Sequence, residues 1–341
     1  MLSFPEMMRV VAETHPPQMR YQGDDSPESF ADWQRQFRAK LNELRGEPQA
    51  RPPARVEVLG VTALKDHTRE HVVIDSVLGT KIPAYVLAPK GKRGKRPGVL
   101  ALHGHVRGGK EPTAGAGPTL PKYVPCDYGL ASVRAGFVTL CPDWWGWGER
   151  SDRGFTLRRR DPCDTKFVAL QKYGISLLSV MISDGLAALD ALMSRPDVDA
   201  RRVGVIGNSL GGRMSMWLAA LDPRLRCAVC AGCFNCFRER SLKLISCGAQ
   251  WLPGLLQWGD VEEIFSLIAP RSLMIMSGNQ DTGTLDREHA ERMTPVIERA
   301  YRVTKAQEKL TFYEFDGGHY MDQKPAMQWL KQQLGAGDRT P

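Results

Sequence analysis

The 341-residue sequence predicts an α/β fold, with a mostly parallel sheet covered by helices on both faces. Three observations carry this. Segments with strand character alternate with segments of helical periodicity through most of the chain. Most of the strand segments are apolar throughout, as strands buried on both faces are. One of them, Arg202–Ile206, runs through Gly207-Asn208-Ser209-Leu210-Gly211-Gly212 into a stretch where Met214, Trp217, Leu218 and Leu221 recur at helical spacing. That is a strand, a sharp turn and a helix.

In chain order, residues 1–25 hold Pro5, Pro16 and Pro17 without a sustained period and are read as an irregular arm. Ser26-Pro27 then opens a helix by an N-cap followed by proline. Phe30, Trp33, Phe37, Leu41 and Leu44 form one apolar stripe along it, which must lie on a larger body. Pro48, Pro52 and Pro53 make a stiff connector. The division expected is residues 1–54 as an arm and amphipathic helix, and 55–341 as the main domain.

Strands are expected at Val56–Val61, His71–Val77, Lys81–Leu87, Gly98–Leu102, Phe137–Cys141, Arg202–Ile206, Arg226–Ala231, Ser272–Ser277 and Leu310–Phe315. Leu78-Gly79-Thr80 is expected to turn a hairpin. Helices are expected at Tyr128–Ala135, Ile175–Met193, after Ser209, at Arg287–Arg302 and at Pro325–Leu334. Trp144–Lys172 reads as loop. Phe234–Ala269 is too long for a plain connection and reads as an insertion with short helices of its own.

The turn after Ile206 matches G-x-S-x-G, the nucleophile elbow, in the strand-to-helix context that gives the pattern meaning. The bland alternative is a glycine-rich βα turn. A serine hydroxyl needs a base, and the base needs a group that holds its tautomer. Both should lie past carboxyl ends of strands. Asp281 follows the Ser272–Ser277 strand and His319 follows Leu310–Phe315 through Asp316-Gly317-Gly318. Asp286 and Asp260 compete for the acid's place, and a surface-loop histidine is the alternative for His319. The oxyanion donors expected are the N–H of Leu210 and that of His105, with Val106 as the latter's substitute. His103 is read as bracing its own loop. Trp144 and Trp145 either line a substrate pocket or pack the base of their loop.

Together His103-Gly104, Gly207–Gly212, Asp281 and Gly317-Gly318-His319 resemble the α/β-hydrolase superfamily, in the branch of dienelactone hydrolases, acetyl xylan esterases and prolyl oligopeptidase catalytic domains. The resemblance spans about Val56 to Leu334. It implies an α/β-hydrolase fold with an eight-stranded sheet, and a Ser209, His319, Asp281 triad. Dienelactone hydrolases proper carry cysteine where this chain has Ser209. The activity implied is a serine carboxylester hydrolase taking short acyl, acetyl-type esters of a carbohydrate or small molecule. A peptidase or amidase, and a non-catalytic binding protein on the same fold, are the alternatives.

Net charge is +8, but the basic residues are scattered. Their densest groups, Arg158–Arg160 and Lys92, Arg93, Lys95 and Arg96, accompany no nucleic-acid motif, so no nucleic-acid partner is expected. No apolar run of about 18 residues suggests a membrane span. Eight cysteines without a signal sequence suggest reduced thiols and a cytoplasmic address. Cys227, Cys230, Cys233 and Cys236 mimic a metal-binding spacing. Residues three apart on a strand face opposite ways, however, so packing is expected, with no metal and no cofactor. Self-association is left open.

Overall fold

A computed structural model describes residues 3–46, 55–91, 94–117, 125–152, 161–243, 247–281 and 287–335. The connector prolines, Arg158–Arg160, Lys92, Arg93 and Asp286 lie outside the described residues.

The strands are β1 (Val56–Ala63), β2 (His67–Asp75), β3 (Lys81–Pro89), β4 (Arg96–Leu102), β5 (Val138–Pro142), β6 (Val198–Asn208), β7 (Cys227–Ala231), β8 (Ser272–Gly278) and β9 (Leu310–Phe315). The helices are α1 (Phe4–Thr14), α2 (Pro27–Arg45), α3 (Lys110–Thr113), α4 (Tyr128–Arg134), α5 (Pro162–Gln171), α6 (Leu177–Met193), α7 (Leu210–Leu221), α8 (Phe237–Lys243), α9 (Val261–Ser266), α10 (Arg287–Val303) and α11 (Gln323–Leu334).

All nine strands form one sheet, in the order β1-β2-β3-β5-β4-β6-β7-β8-β9. β1, β2 and β3 join antiparallel at one edge, and β3 meets β5 antiparallel. From β5 through β4, β6, β7, β8 and β9 every pairing is parallel. The resemblance implied eight strands, and the sheet has one more. The edge strand β1 is exposed along its whole length and joins the sheet by its pairing with β2.

Two cores flank the sheet. On one face α6, α7, α9 and α10 pack over Leu100, Leu102, Val203, Val205, Ala228 and Ile275. On the other, α4 and α11 cover Val99, Ala101, Ile206, Val229 and Met274. Parallel strands need both coverings, which is why their sequences are apolar at successive positions. The same alternation sends Cys227 to one core and Cys230 to the other, where Cys233 and Cys236 join it, so the four spaced cysteines do not all lie on one side of the sheet.

The stripe on α2 faces inward and joins the larger core. Phe30, Trp33 and Phe37 stack in sequence at 5.2 and 5.5 Å between ring centroids. Gln34 donates to Ala269 O at 2.8 Å and Arg38 to Ala220 O at 2.9 Å, docking the helix beside α9 and α7. Two helices stand where irregular chain was expected. In α1, Ser3 and Glu6 form a capping box with Pro5 in the first turn. In α5, Asp161-Pro162 supplies an N-cap followed by proline at the start of the helix.

Candidate active site

The elbow is built by crowding. Ser209 follows β6 with φ 61° and ψ −121°, a conformation that side-chain-bearing residues rarely adopt and that costs about 1–3 kcal/mol. It is fixed from two sides. Its N–H donates to Ala231 O on β7 at 2.9 Å, and its carbonyl accepts from Arg213 N–H at 3.0 Å as α7 begins. A Cβ on Gly211 would fall 1.8 Å from Leu102 O, so only glycine lets α7 approach β4 this closely.

Two stitched loops bring the acid to the base. Asn279 N–H donates to Phe315 O at 2.9 Å and Gln280 N–H to Gly317 O at 2.8 Å. The approach is so close that a Cβ on Gly278 would stand 2.3 Å from Gly317 O. The result is that His319 Nδ1 lies 2.6 Å from Asp281 Oδ2, with the carboxylate buried and the imidazole partly open to solvent. The ring stands beside the elbow. A Cβ on Gly232 would lie 3.0 Å from His319 Cε1 and 2.7 Å from Oδ1 of Asn208, the neighbour of Ser209.

Asp260, the competitor for the acid's place that lies among the described residues, is otherwise engaged. Asp260 accepts from the N–H groups of Phe237 at 2.8 Å, Arg238 at 2.9 Å and Val261 at 2.8 Å, capping α9. Asp316 is exposed and accepts from Gln280 Nε2 at 2.8 Å.

The loop after β4 arches over the elbow, with Gly104 so near that its Cβ would be 3.1 Å from Ser209 Cβ. His103 braces it as expected. Trp144 N–H donates to His103 Nε2 at 3.0 Å, so the ring proton sits on Nδ1 and points to Gly104 O at 2.7 Å. Full burial pulls this imidazole down to about 4, against the smaller upward pull of Asp143. Val106 N–H is taken by Gly104 O at 2.8 Å, so this one of the two donors considered in the loop is already engaged.

Beneath lies a buried ionic network with little trace in sequence patterns. Asp143 accepts from Lys110 N–H at 2.7 Å, Lys110 Nζ at 2.7 Å and Glu149 N–H at 3.0 Å. Lys110 also pairs with Glu149. Burial alone would lower the Lys110 ammonium, but Asp143 and Glu149 outweigh it and hold the group above its ordinary value. The loops after β4 and β5 are thereby tied together. The only sequence signal was a carboxylate directly past a strand end.

Of the two readings of the tryptophans, packing is the one that Trp144 meets, against its place among the substrate-binding candidates. Trp144 is fully buried among core residues, reaching toward Gly185 on α6, and offers no surface to a substrate. Trp145 is half-buried beneath the Arg150 guanidinium, 4.0 Å from its ring centroid. Trp147 is the one that approaches the His105 ring, at 5.4 Å. A strand-end position does not reveal which way such a side chain turns.

His105 itself contacts two thiols. Its Nε2 lies 3.1 Å from Cys247 Sγ and 3.6 Å from Cys163 Sγ. Hydrogen bonding from Cys247 draws the Cys163 thiol below its ordinary value, with His105 adding to the effect against burial.

A parallel sheet whose central strand ends in a strained serine elbow, with a histidine–carboxylate pair past its last strands, defines the α/β-hydrolase fold. The chain belongs to the Abhydrolase family, whose model matches residues 2–340. It is 32% identical over 282 residues to the protein named "Putative hydrolase YtaP" of Bacillus subtilis (strain 168), covering 80% of this chain and 85% of that one. Its fold is similar to a solved "putative acetyl xylan esterase" of Bacteroides fragilis NCTC 9343, with a TM-score of 0.77, 20% identity and coverage of 92% and 83%. It is also similar to a glucuronoyl esterase from Solibacter usitatus, with a TM-score of 0.65, 17% identity and coverage of 91% and 94%.

Proposed function

We propose that this protein is a serine carboxylester hydrolase that works through an acyl-enzyme on short acyl esters of a carbohydrate or another small molecule. The observation that carries the reading is the 2.6 Å contact of His319 Nδ1 with buried Asp281, beside an elbow that holds Ser209 at positive φ. A carboxylate at Nδ1 keeps the ring proton on that side, so that Nε2 carries the lone pair that a base needs. The names of the similar esterases and of the hydrolase relative support the same class.

In this reading Ser209 Oγ attacks the ester carbonyl carbon while its proton passes to His319 Nε2. The negative charge on the former carbonyl oxygen faces the N–H groups of Leu210 and His105. Collapse expels the alcohol, which takes the proton from His319. Water then repeats the sequence on the acyl-enzyme, releasing the acid and restoring Ser209.

A series of p-nitrophenyl esters from acetate to octanoate tests this. The expected result is the highest kcat/KM for acetate and a loss of at least about 10⁴-fold in Ser209→Ala. Equal rates in Ser209→Ala and wild type would refute the mechanism. Preference for octanoate would overturn only the short-acyl part, and faster cleavage of an aminoacyl anilide would move the activity to amides.

A further inference from the structure

We propose that His105, Cys163, Cys247 and Asp161 form a tetrahedral site for one zinc-type divalent cation. One ligand atom from each of the four lies within 4.8 Å of all the others. Zinc bonds of about 2.3 Å to sulfur and 2.0–2.1 Å to nitrogen place such ligands roughly 3.5 Å apart. The observed His105 Nε2 separations of 3.1 Å from Cys247 and 3.6 Å from Cys163 bracket that value.

The ligands come from three distant segments that other contacts already hold together. His105 rides on the loop after β4, Asp161 and Cys163 open α5, and Cys247 precedes the short helical turn Gly248–Gln250. Asp164 on α5 accepts from Gly248 N–H at 2.6 Å, and Phe167 on α5 meets Trp251 edge-on at 5.3 Å. Trp147 packs at 5.4 Å from the His105 ring and limits its rotation. Only the Asp161 carboxylate faces solvent freely, which gives the ion a path inward.

Two sulfurs, one imidazole nitrogen and one carboxylate suit a borderline-soft ion and disfavour magnesium or calcium. On binding, each thiol loses its proton to solvent and forms a sulfur–metal bond. His105 binds through the Nε2 lone pair and Asp161 through one carboxylate oxygen, with no change of oxidation state. The second grouping of this kind, Cys236, Glu239 and His289, differs because Arg292 already pairs with Glu239. The ion would pin the His105 loop to α5 and take no part in the ester chemistry. The site thus stands whether or not Ser209 is the nucleophile.

The test uses the reduced full-length protein, stripped by a chelator and titrated with Co²⁺ and then Zn²⁺. The expected result is one Co²⁺ per chain, with thiolate-to-cobalt absorption in the near ultraviolet and tetrahedral bands in the visible, both abolished by Zn²⁺. Cys163→Ser and Cys247→Ser should each weaken binding at least about 100-fold, beyond the loss typical of an outer-shell partner. Asp161→Asn should alter the visible bands and keep the thiolate absorption, and Cys227→Ser should change neither. Circular dichroism identifies variants that fold, and the less buried Cys247 carries the test if Cys163→Ser does not. The site is overturned if the folded, reduced chain takes up no cobalt, or if the bands persist in the cysteine variants. It is equally overturned if a Cys163–Cys247 disulfide forms and survives in the presence of zinc.

Discussion

Ser209, Asp281 and His319 each lie just past a parallel strand, and that is why the sequence could group three residues so far apart as candidates. Open parallel sheets gather their loops at one edge, so a serine elbow predicts where its partners must be. Asp281→Asn tests the role of the carboxylate, since an amide can hold the ring in the wrong tautomer. The expected loss in kcat is about 10⁴-fold with the fold intact, read by steady-state kinetics and circular dichroism. Gly211→Ala addresses the crowding instead. Its Cβ would meet Leu102 O at 1.8 Å, and overpacking of this kind costs about 1–3 kcal/mol or more in denaturant unfolding. Trp144 was not legible in the same way. Its neighbours on α6 decide its direction, and no local pattern encodes them.

The loops after β4 and β5 behave as one element because Asp143 and Lys110 join them in the interior. Breaking such a pair leaves an unpaired buried charge, so Lys110→Met should cost about 3–5 kcal/mol in chemical denaturation. His103 gives the element a pH dependence. Its imidazole titrates at about 4 in the folded chain, against roughly 6.5 when unfolded. Above pH 6.5 both states are neutral and its contribution is complete. As pH falls from about 6.5 to about 4 the unfolded chain takes up the proton first, and up to about 3 kcal/mol is lost. The stability difference between wild type and His103→Asn should therefore shrink over that window, and a pH-independent difference would contradict the assignment. At this scale α1 and α5 were hidden, because α1 has no buried residues and α5 carries no clear apolar stripe. Their capping residues were the only signal.

Over the whole molecule, alternation of apolar strands and periodic helices was enough to anticipate nine strands and the two covering layers. The ninth strand was missed only where family resemblance was used in place of the residues. The α2 helix acts as part of the core, with Phe30, Phe37 and Leu41 buried against it. Phe37→Ala should thus cost about 3–5 kcal/mol, as a truncation inside the main domain would, measured by the midpoint and slope of urea unfolding. A loss under about 1 kcal/mol would mean that the helix folds as a separate appendage. Neither the meeting of His105 with Cys163 and Cys247 nor the ionic network could be read in advance, since both depend on loops meeting across the sheet edge.

The proposed ester chemistry requires one oxygen atom, Ser209 Oγ, to be the nucleophile. Treating the folded protein with a fluorophosphonate and mapping the adduct by peptide mass spectrometry tests this most directly. One adduct per chain on Ser209, absent in Ser209→Ala and slowed in His319→Ala, is the predicted result. No adduct on the folded chain, or an adduct on another residue that accompanies loss of esterase activity, would contradict it.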